Sequence, residues 1–224
     1  MKARSDSSLV SETPSALVSP TIQFTPDFNA PPLKLGILAS GSGSNFETIA
    51  QAIAQKNLNA QIQVMIYNNP GAKAAERADR LKIPSVLLNH RGWTDREAFD
   101  ATIVETLQQY EVEWVVMAGW MRRVTQTLID AFPRRMLNIH PSLLPSFPGV
   151  RGVEQALEAG VRVTGCTVHY VELKVDSGPI IIQAVVPVLP NDDPASLHAR
   201  IQVQEHYIYP RAIALATGQG IIAD

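Results

Sequence analysis

The chain has 224 residues, room for one large domain, or one domain and a tail. Hydrophobic residues at 46% suit a sizeable core, and a net charge of −2 excludes a general binder of nucleic acid or anionic membranes. One cysteine excludes an internal disulfide framework and a multi-cysteine zinc site, and no apolar run reaches the ~18–20 residues of a membrane span.

Residues 1–32 are rich in Ser, Thr and Pro, and their longest apolar string is Ala16-Leu17-Val18. A secretory signal needs a basic start and a continuous apolar stretch, and neither is there. Asp6, Glu12 and Asp27 set against Lys2 and Arg4 do not suit an Arg-rich transit peptide. The composition predicts a disordered N-terminal extension over 1–32, ahead of one domain over 33–224. A cytoplasmic location is the matching expectation.

Beyond residue 33, short apolar runs alternate with helical patterns. Strands are predicted at 33–39, 62–67, 85–88, 113–117 and 136–140, with helices at 46–55, 72–81, 96–110 and 125–132 between them. Such alternation predicts an α/β fold with a mostly parallel central sheet and helices on both faces. After His140 the rhythm changes. A helix is predicted at 152–159, then strands at 164–171 and 180–188, joined by an Asp-Ser-Gly-Pro turn region as in an antiparallel pair. A last helix is predicted from Pro194, capped by Asp193, to about Thr217, with Pro210 kinking or breaking it.

Ser40-Gly41-Ser42-Gly43-Ser44-Asn45 joins the first predicted strand to the first helix. Glycines let a backbone approach an anion, and a helix N-terminus offers free N–H groups and partial positive charge. A tight turn capped by Ser44 or Asn45 is the purely structural alternative. A dinucleotide fingerprint wants a third Gly where Phe46 stands and an acid where the second strand ends in Tyr67-Asn68-Asn69, and no Gly-Lys-Ser/Thr of a P-loop occurs. The loop therefore suits one phosphate of a small metabolite.

Asn138 and His140 are two residues apart at the end of a predicted strand, so their side chains leave it on the same side. Carboxyl ends of strands are where open α/β sheets bind ligands. An amide donor beside an imidazole suits acyl chemistry, because the amide can stabilise a developing oxyanion and the imidazole can move a proton. A capping Asn with a structural His is the alternative. Asp176 is either a turn aspartate or a carboxylate that orients His140 and favours its charged form.

The blocks Gly41-Ser42-Gly43-Ser44-Asn45, Ala118-Gly119-Trp120-Met121-Arg122, Asn138-Ile139-His140-Pro141-Ser142-Leu143-Leu144-Pro145, Asp176-Ser177-Gly178-Pro179-Ile180-Ile181 and Gln204-Glu205-His206 occur in this order. Together they resemble the folate-dependent phosphoribosylglycinamide formyltransferases of purine synthesis, over all but the N-terminal extension. The resemblance implies a Rossmann-like formyltransferase fold that transfers the formyl group of 10-formyltetrahydrofolate, a co-substrate, to the amine of glycinamide ribonucleotide, with no metal. It implies that Asn138 and protonated His140 stabilise the oxyanion, and that Asp176 keeps His140 charged. Gly43, Ser44 and Asn45 would take the substrate phosphate. Glu205, with Gln202 one helical turn earlier, would meet its ribose side. Met121, Arg122, Arg123 and Val124 would line the pterin pocket, mainly through backbone, with Asn138 beside them. Arg96 matches a folate-site position, while Thr167 and His169, on one face of their strand, would support Asp176. Arg151 stands where some relatives carry His, which removes one candidate for proton transfer.

The remaining candidates read as structural. Cys166 fits a core thiol, and His90, His198 and His206 lack metal-ligand spacing. Trp93 and Trp114 fit packing, while Trp120 fits a place near the pterin. Lys73, Arg77 and Arg80 read as a solvated helix face. Rival readings are a formyltetrahydrofolate deformylase, expected to carry an N-terminal regulatory domain and a second His where Pro141 stands, and a methionyl-tRNA formyltransferase, expected to continue into a tRNA-binding domain beyond residue 224. A non-catalytic folate or phosphate-metabolite binding module is a third. The expected partners are small-molecule substrates rather than nucleic acid or membrane, and monomer and homodimer both stay open.

Overall fold

The structure, a computed structural model, describes residues 17–223. The N-terminal part of the expected disordered extension, 1–16, lies outside the described residues.

The remainder of that extension departs from the expectation. Val18–Ser19 (β1) and Ile22–Phe24 (β2) are strands. Each borrows its partner from the far end of the chain: β1 lies antiparallel to Ile180–Pro187 (β9), and β2 pairs with Gly220–Ile222 (β10). Ile22 is buried in the main core, and the Arg211 guanidinium lies 5.1 Å from the Phe24 ring centroid and 3.6 Å from that of Tyr207. The Asn59 amide donates to the carbonyls of Asp27 (2.7 Å) and Ala30 (2.9 Å). Short apolar stretches among prolines cannot hold themselves together, but a preformed sheet edge gives their backbone groups partners.

Then comes the predicted alternation. Leu33–Ala39 (β3), Ala60–Tyr67 (β4), Ser85–Leu87 (β5), Trp114–Met117 (β6) and Met136–His140 (β7) pair in parallel. The intervening helices are Ser44–Ala54 (α1), Lys73–Leu81 (α2), Arg96–Gln109 (α3) and Gln126–Ala131 (α4). Gly152–Glu158 (α5) follows, and Val163–Tyr170 (β8) runs antiparallel to both β7 and β9. The main sheet has eight strands in the order β1-β9-β8-β7-β6-β3-β4-β5.

Alternation along each strand sends side chains to two cores. Leu35, Ile37 and Ala39 of β3 pack with Phe46 and Ile49 of α1 and Ala74 and Ala78 of α2. Leu38 faces the other way, with Phe99, Ile103 and Leu107 of α3. On β7, Leu137 and Ile139 join the first core and Met136 the second. Asn138 and His140 share the Met136 face at the carboxyl end of the strand.

Pro194–Ala216 (α6) starts on a capping box in which the Asp193 side chain accepts from Ser196 N (2.8 Å) and Asp193 N donates to Ser196 Oγ (3.0 Å). The helix passes through Pro210 unbroken. Packing overrides the lost donor, because Ile208, Tyr209, Pro210, Ala212 and Ile213 are all buried. The Tyr209 hydroxyl lies 3.0 Å from the Met117 carbonyl and 3.2 Å from that of Leu137, which pins α6 beneath the ends of β6 and β7.

Candidate active site

A cavity of about 410 Å³ opens at the carboxyl ends of β3, β6 and β7. The loop of residues 41–45 forms one end. Gly43 caps α1 at φ 72°, a left-handed conformation, and a Cβ there would lie 2.8 Å from the Ala74 Cα and Cβ atoms, so the position needs glycine. Gln202 donates to the Ser44 hydroxyl (3.0 Å), and the Asn45 amide donates to the Glu205 carboxylate (2.9 Å). Both α6 residues face the cavity, Glu205 nearly covered. Burial pushes the Glu205 carboxyl above its ordinary value, and the Asn45 bond with the nearby His198 and His140 only partly opposes this.

The opposite end is built where the sheet turns antiparallel. The β7–β8 register sets Asn138 opposite His169 and His140 opposite Thr167. His169 Nδ1 lies 2.8 Å from the Tyr170 carbonyl, and its Nε2 lies 3.2 Å from the Asn138 amide nitrogen. His140 lies between two acceptors: Nε2 is 2.8 Å from the Phe147 carbonyl, and Nδ1 is 3.4 Å from the Asp176 carboxylate. His140 is thus held at both ring nitrogens, with the Asp176 carboxylate facing Nδ1.

Asp176 reaches the site from the segment after β8, with φ 53°, a left-handed conformation that Asp tolerates better than most side chains. Its carboxylate accepts from Gly149 N (2.7 Å) and lies 3.6 Å from His169 Nε2. Burial pushes the carboxyl upward, but the His169 contact, the Gly149 N–H and the facing His140 outweigh that and hold it below its ordinary value.

Between the ends, Trp120, Met121, Arg122, Arg123 and Val124 line the wall. The Arg122 guanidinium lies 4.7 Å from the Phe99 ring centroid, and Met121 N donates to the Ser40 hydroxyl (2.9 Å). Among the described residues, the buried Asn45 Oδ1, Trp120 Nε1 and Arg122 Nε have no hydrogen-bond partner.

Thirteen of the expected site residues therefore meet in one cavity: Gly43, Ser44, Asn45, Met121, Arg122, Arg123, Val124, Asn138, His140, His169, Asp176, Gln202 and Glu205. Two do not. Arg96 is exposed at the start of α3 and is not a lining residue. Thr167 is buried beneath the loop after His140 instead of contacting Asp176. Its hydroxyl donates to the Ser142 carbonyl (2.7 Å) and accepts from Leu144 N (3.1 Å) and the Gln183 amide (2.9 Å).

Other contributors escape sequence reasoning. Gly152 abuts the His140 ring, where a Cβ would lie 3.1 Å from Nε2. Arg151 (φ 65°) lines the cavity and pairs with Glu158 at 3.0 Å. His198, Glu172, Leu173 and Val175 also line it. Nothing in their local pattern signals this, since only the tertiary fold carries those loops to the strand ends. Arg77, expected on a solvated face, instead pairs with Glu47 and donates from Nε to the Ser42 carbonyl (2.8 Å). Among the described residues, no group of three or more His, Cys, Asp or Glu is placed to hold a metal ion, and no helix is long and apolar enough to cross a membrane.

The architecture is that of an open α/β protein with its cleft at the carboxyl ends of the strands and an amide, an imidazole and a carboxylate converging there. The formyl transferase family pattern matches residues 33–213. The chain belongs to that family. The phosphoribosylglycinamide formyltransferase of Bacillus subtilis (strain 168) is 40% identical over 185 residues, 83% of this chain and 95% of that relative. The trifunctional purine biosynthetic protein adenosine-3 of Drosophila melanogaster is also 40% identical, over 193 residues, but this chain spans only 14% of its length. The crystal structure of glycinamide ribonucleotide transformylase 1 from Symbiobacterium toebii is 44% identical and superposes with a TM-score of 0.82, covering 86% of this chain and 91% of that one.

Proposed function

We propose that this formyltransferase moves the formyl group of 10-formyltetrahydrofolate onto the primary amine of glycinamide ribonucleotide, giving formylglycinamide ribonucleotide and tetrahydrofolate. The observation that carries the reading is the presence in one cleft of a glycine loop suited to a phosphate and the Asn138, His140 and Asp176 group, in a chain that matches the Bacillus relative nearly end to end.

In this reading the phosphate rests against the backbone of Gly43, Ser44 and Asn45, where free N–H groups and the start of α1 favour an anion. Gln202 and Glu205 face its ribose. Met121, Arg122, Arg123 and Val124 receive the pterin of the formyl donor, and Arg96 serves its outer part. The amine attacks the formyl carbon, and the carbonyl oxygen becomes an oxyanion. The Asn138 amide and the charged His140 ring donate to it, an interaction that grows in the transition state. Asp176 holds His140 oriented and charged. As the tetrahedral species collapses, the carbon–nitrogen bond to the donor breaks, the amine gives up one proton, and the departing folate nitrogen gains one. His140, with water, is placed to relay that proton. His169 orients Asn138 and Asp176. The chemistry is expected in the cytoplasm.

Incubating the protein with 10-formyltetrahydrofolate, with and without glycinamide ribonucleotide, tests the assignment. Stoichiometric formation of the formylated amine, with donor consumption dependent on the amine, is expected. Donor loss at the same rate without the amine would make the protein a hydrolase, and no loss in either case would leave a binding module.

A further inference from the structure

The carbonyls of residues 40–42 are all held from one side. The Ser40 carbonyl accepts from the Asn69 side chain (2.8 Å), the Gly41 carbonyl from Ala74 N (3.1 Å) and the Ser42 carbonyl from Arg77 Nε (2.8 Å). All three donors belong to one stretch, the end of β4 and α2. In a trans peptide the C=O and the following N–H point in opposite directions. Fixing three successive carbonyls toward α2 therefore turns the N–H groups of Gly41, Ser42 and Gly43 the other way. Those N–H groups have no acceptor among the described residues, and all three residues line the cavity. The Arg77 charge is engaged elsewhere, by the Glu47 carboxylate that Arg80 also pairs with. Arg77 thus acts on the loop chiefly through the direction of its Nε–H.

We propose that Arg77 and Asn69 are positioning residues for phosphate recognition: from behind the loop they hold the Ser42 and Ser40 carbonyls, so that three consecutive peptide N–H groups stay aimed at the substrate's phosphate. The inference rests on the phosphate reading of this loop given above. Neither side chain touches the reacting atoms, so their loss weakens binding of the phosphorylated substrate and leaves turnover at saturation intact. Preorganised donors bind an anion without the cost of ordering the loop first.

The test uses the full chain, with Arg77→Met, Asn69→Ala and Glu47→Gln. It measures steady-state constants for both substrates, and inhibition by ribose 5-phosphate and by ribose. For Arg77→Met, the KM for glycinamide ribonucleotide and the inhibition constant for ribose 5-phosphate should each rise roughly tenfold, the effect of losing one charge-assisted hydrogen bond. The kcat, the KM for the formyl donor and any inhibition by ribose should stay within about twofold. Asn69→Ala should shift the same two constants by a smaller factor, and it carries the test alone if Arg77→Met does not fold. Glu47→Gln, which breaks the ion pair but leaves the Arg77–Ser42 bond, should lower the melting temperature without moving either constant. Unchanged ribose 5-phosphate inhibition in both Arg77→Met and Asn69→Ala would overturn the inference. Equal inhibition of the wild type by ribose and ribose 5-phosphate would overturn instead the phosphate reading on which it stands.

Discussion

The two ends of the cleft are made from different materials. The 41–45 end is backbone, a glycine loop at the start of α1 held from behind by α2, and its Ser44 and Asn45 side chains bond to α6. The opposite end is side chain throughout: Asn138 and His140 from β7, His169 from β8 and Asp176 from the segment beyond it. Backbone N–H groups are suited to hold a charge that does not change during a reaction. Titratable side chains are suited to meet a charge that appears and then vanishes. Damage at the first end should therefore fall on substrate affinity, and damage at the second on turnover.

The sharpest way to break that contrast is at Asn138. Asn138→Ala removes a neutral oxyanion donor and should lower kcat on the order of 10²–10³-fold with little change in the KM for glycinamide ribonucleotide, a pattern that steady-state assays read directly. A loss expressed mainly in KM would mean that both ends bind and neither is specialised.

A smaller effect is expected at Glu205, which lies between the two regions and whose carboxyl burial pushes upward. A group whose folded-state value exceeds its unfolded value contributes stability that is complete below the unfolded value and is lost as pH rises through the folded one. Wild type should therefore lose stability relative to Glu205→Gln as pH rises from about 4.5 toward neutrality, and the gap should then level off. Denaturant unfolding of both proteins across that range checks the sign. A gap that widens as pH falls would place the carboxylate in a compensated, charge-favouring environment.

The two regions also differ in how much of them could be read from the residues. The glycine spacing of the 41–45 loop is local, and so is its position between an apolar run and an amphipathic helix. Asn138 and His140 were legible as a pair because strand geometry alone puts residues two apart on one side. Asp176 was legible only through the family resemblance, since no local rule brings a turn residue back to a strand end. The role of Arg77 was not legible at all. Its spacing from Lys73 and Arg80 is that of any wet helix face, and only the fold shows that this face meets the back of the loop. The same limit explains the N-terminal segment. Ile22–Phe24 has strand character only beside Gly220–Ile222, a partner at the other end of the chain. From β3 to β7 the elements followed from pattern, because each carries an apolar run or a helical period of its own. No break occurs at Pro210, because helix propensity is weaker than the packing of a buried face.

The central claim is that the Asp176 carboxylate, carried by the segment between β8 and β9, drives turnover through His140. Asp176→Asn tests it most directly, because the substitution keeps the side chain's shape and removes its charge. Steady-state kinetics of formyl transfer with both substrates varied should show kcat lowered on the order of 10²–10⁴-fold, with both KM values within about threefold of wild type. Near-normal kcat, or a loss confined to KM, would contradict the account and return Asp176 to the role of a turn residue.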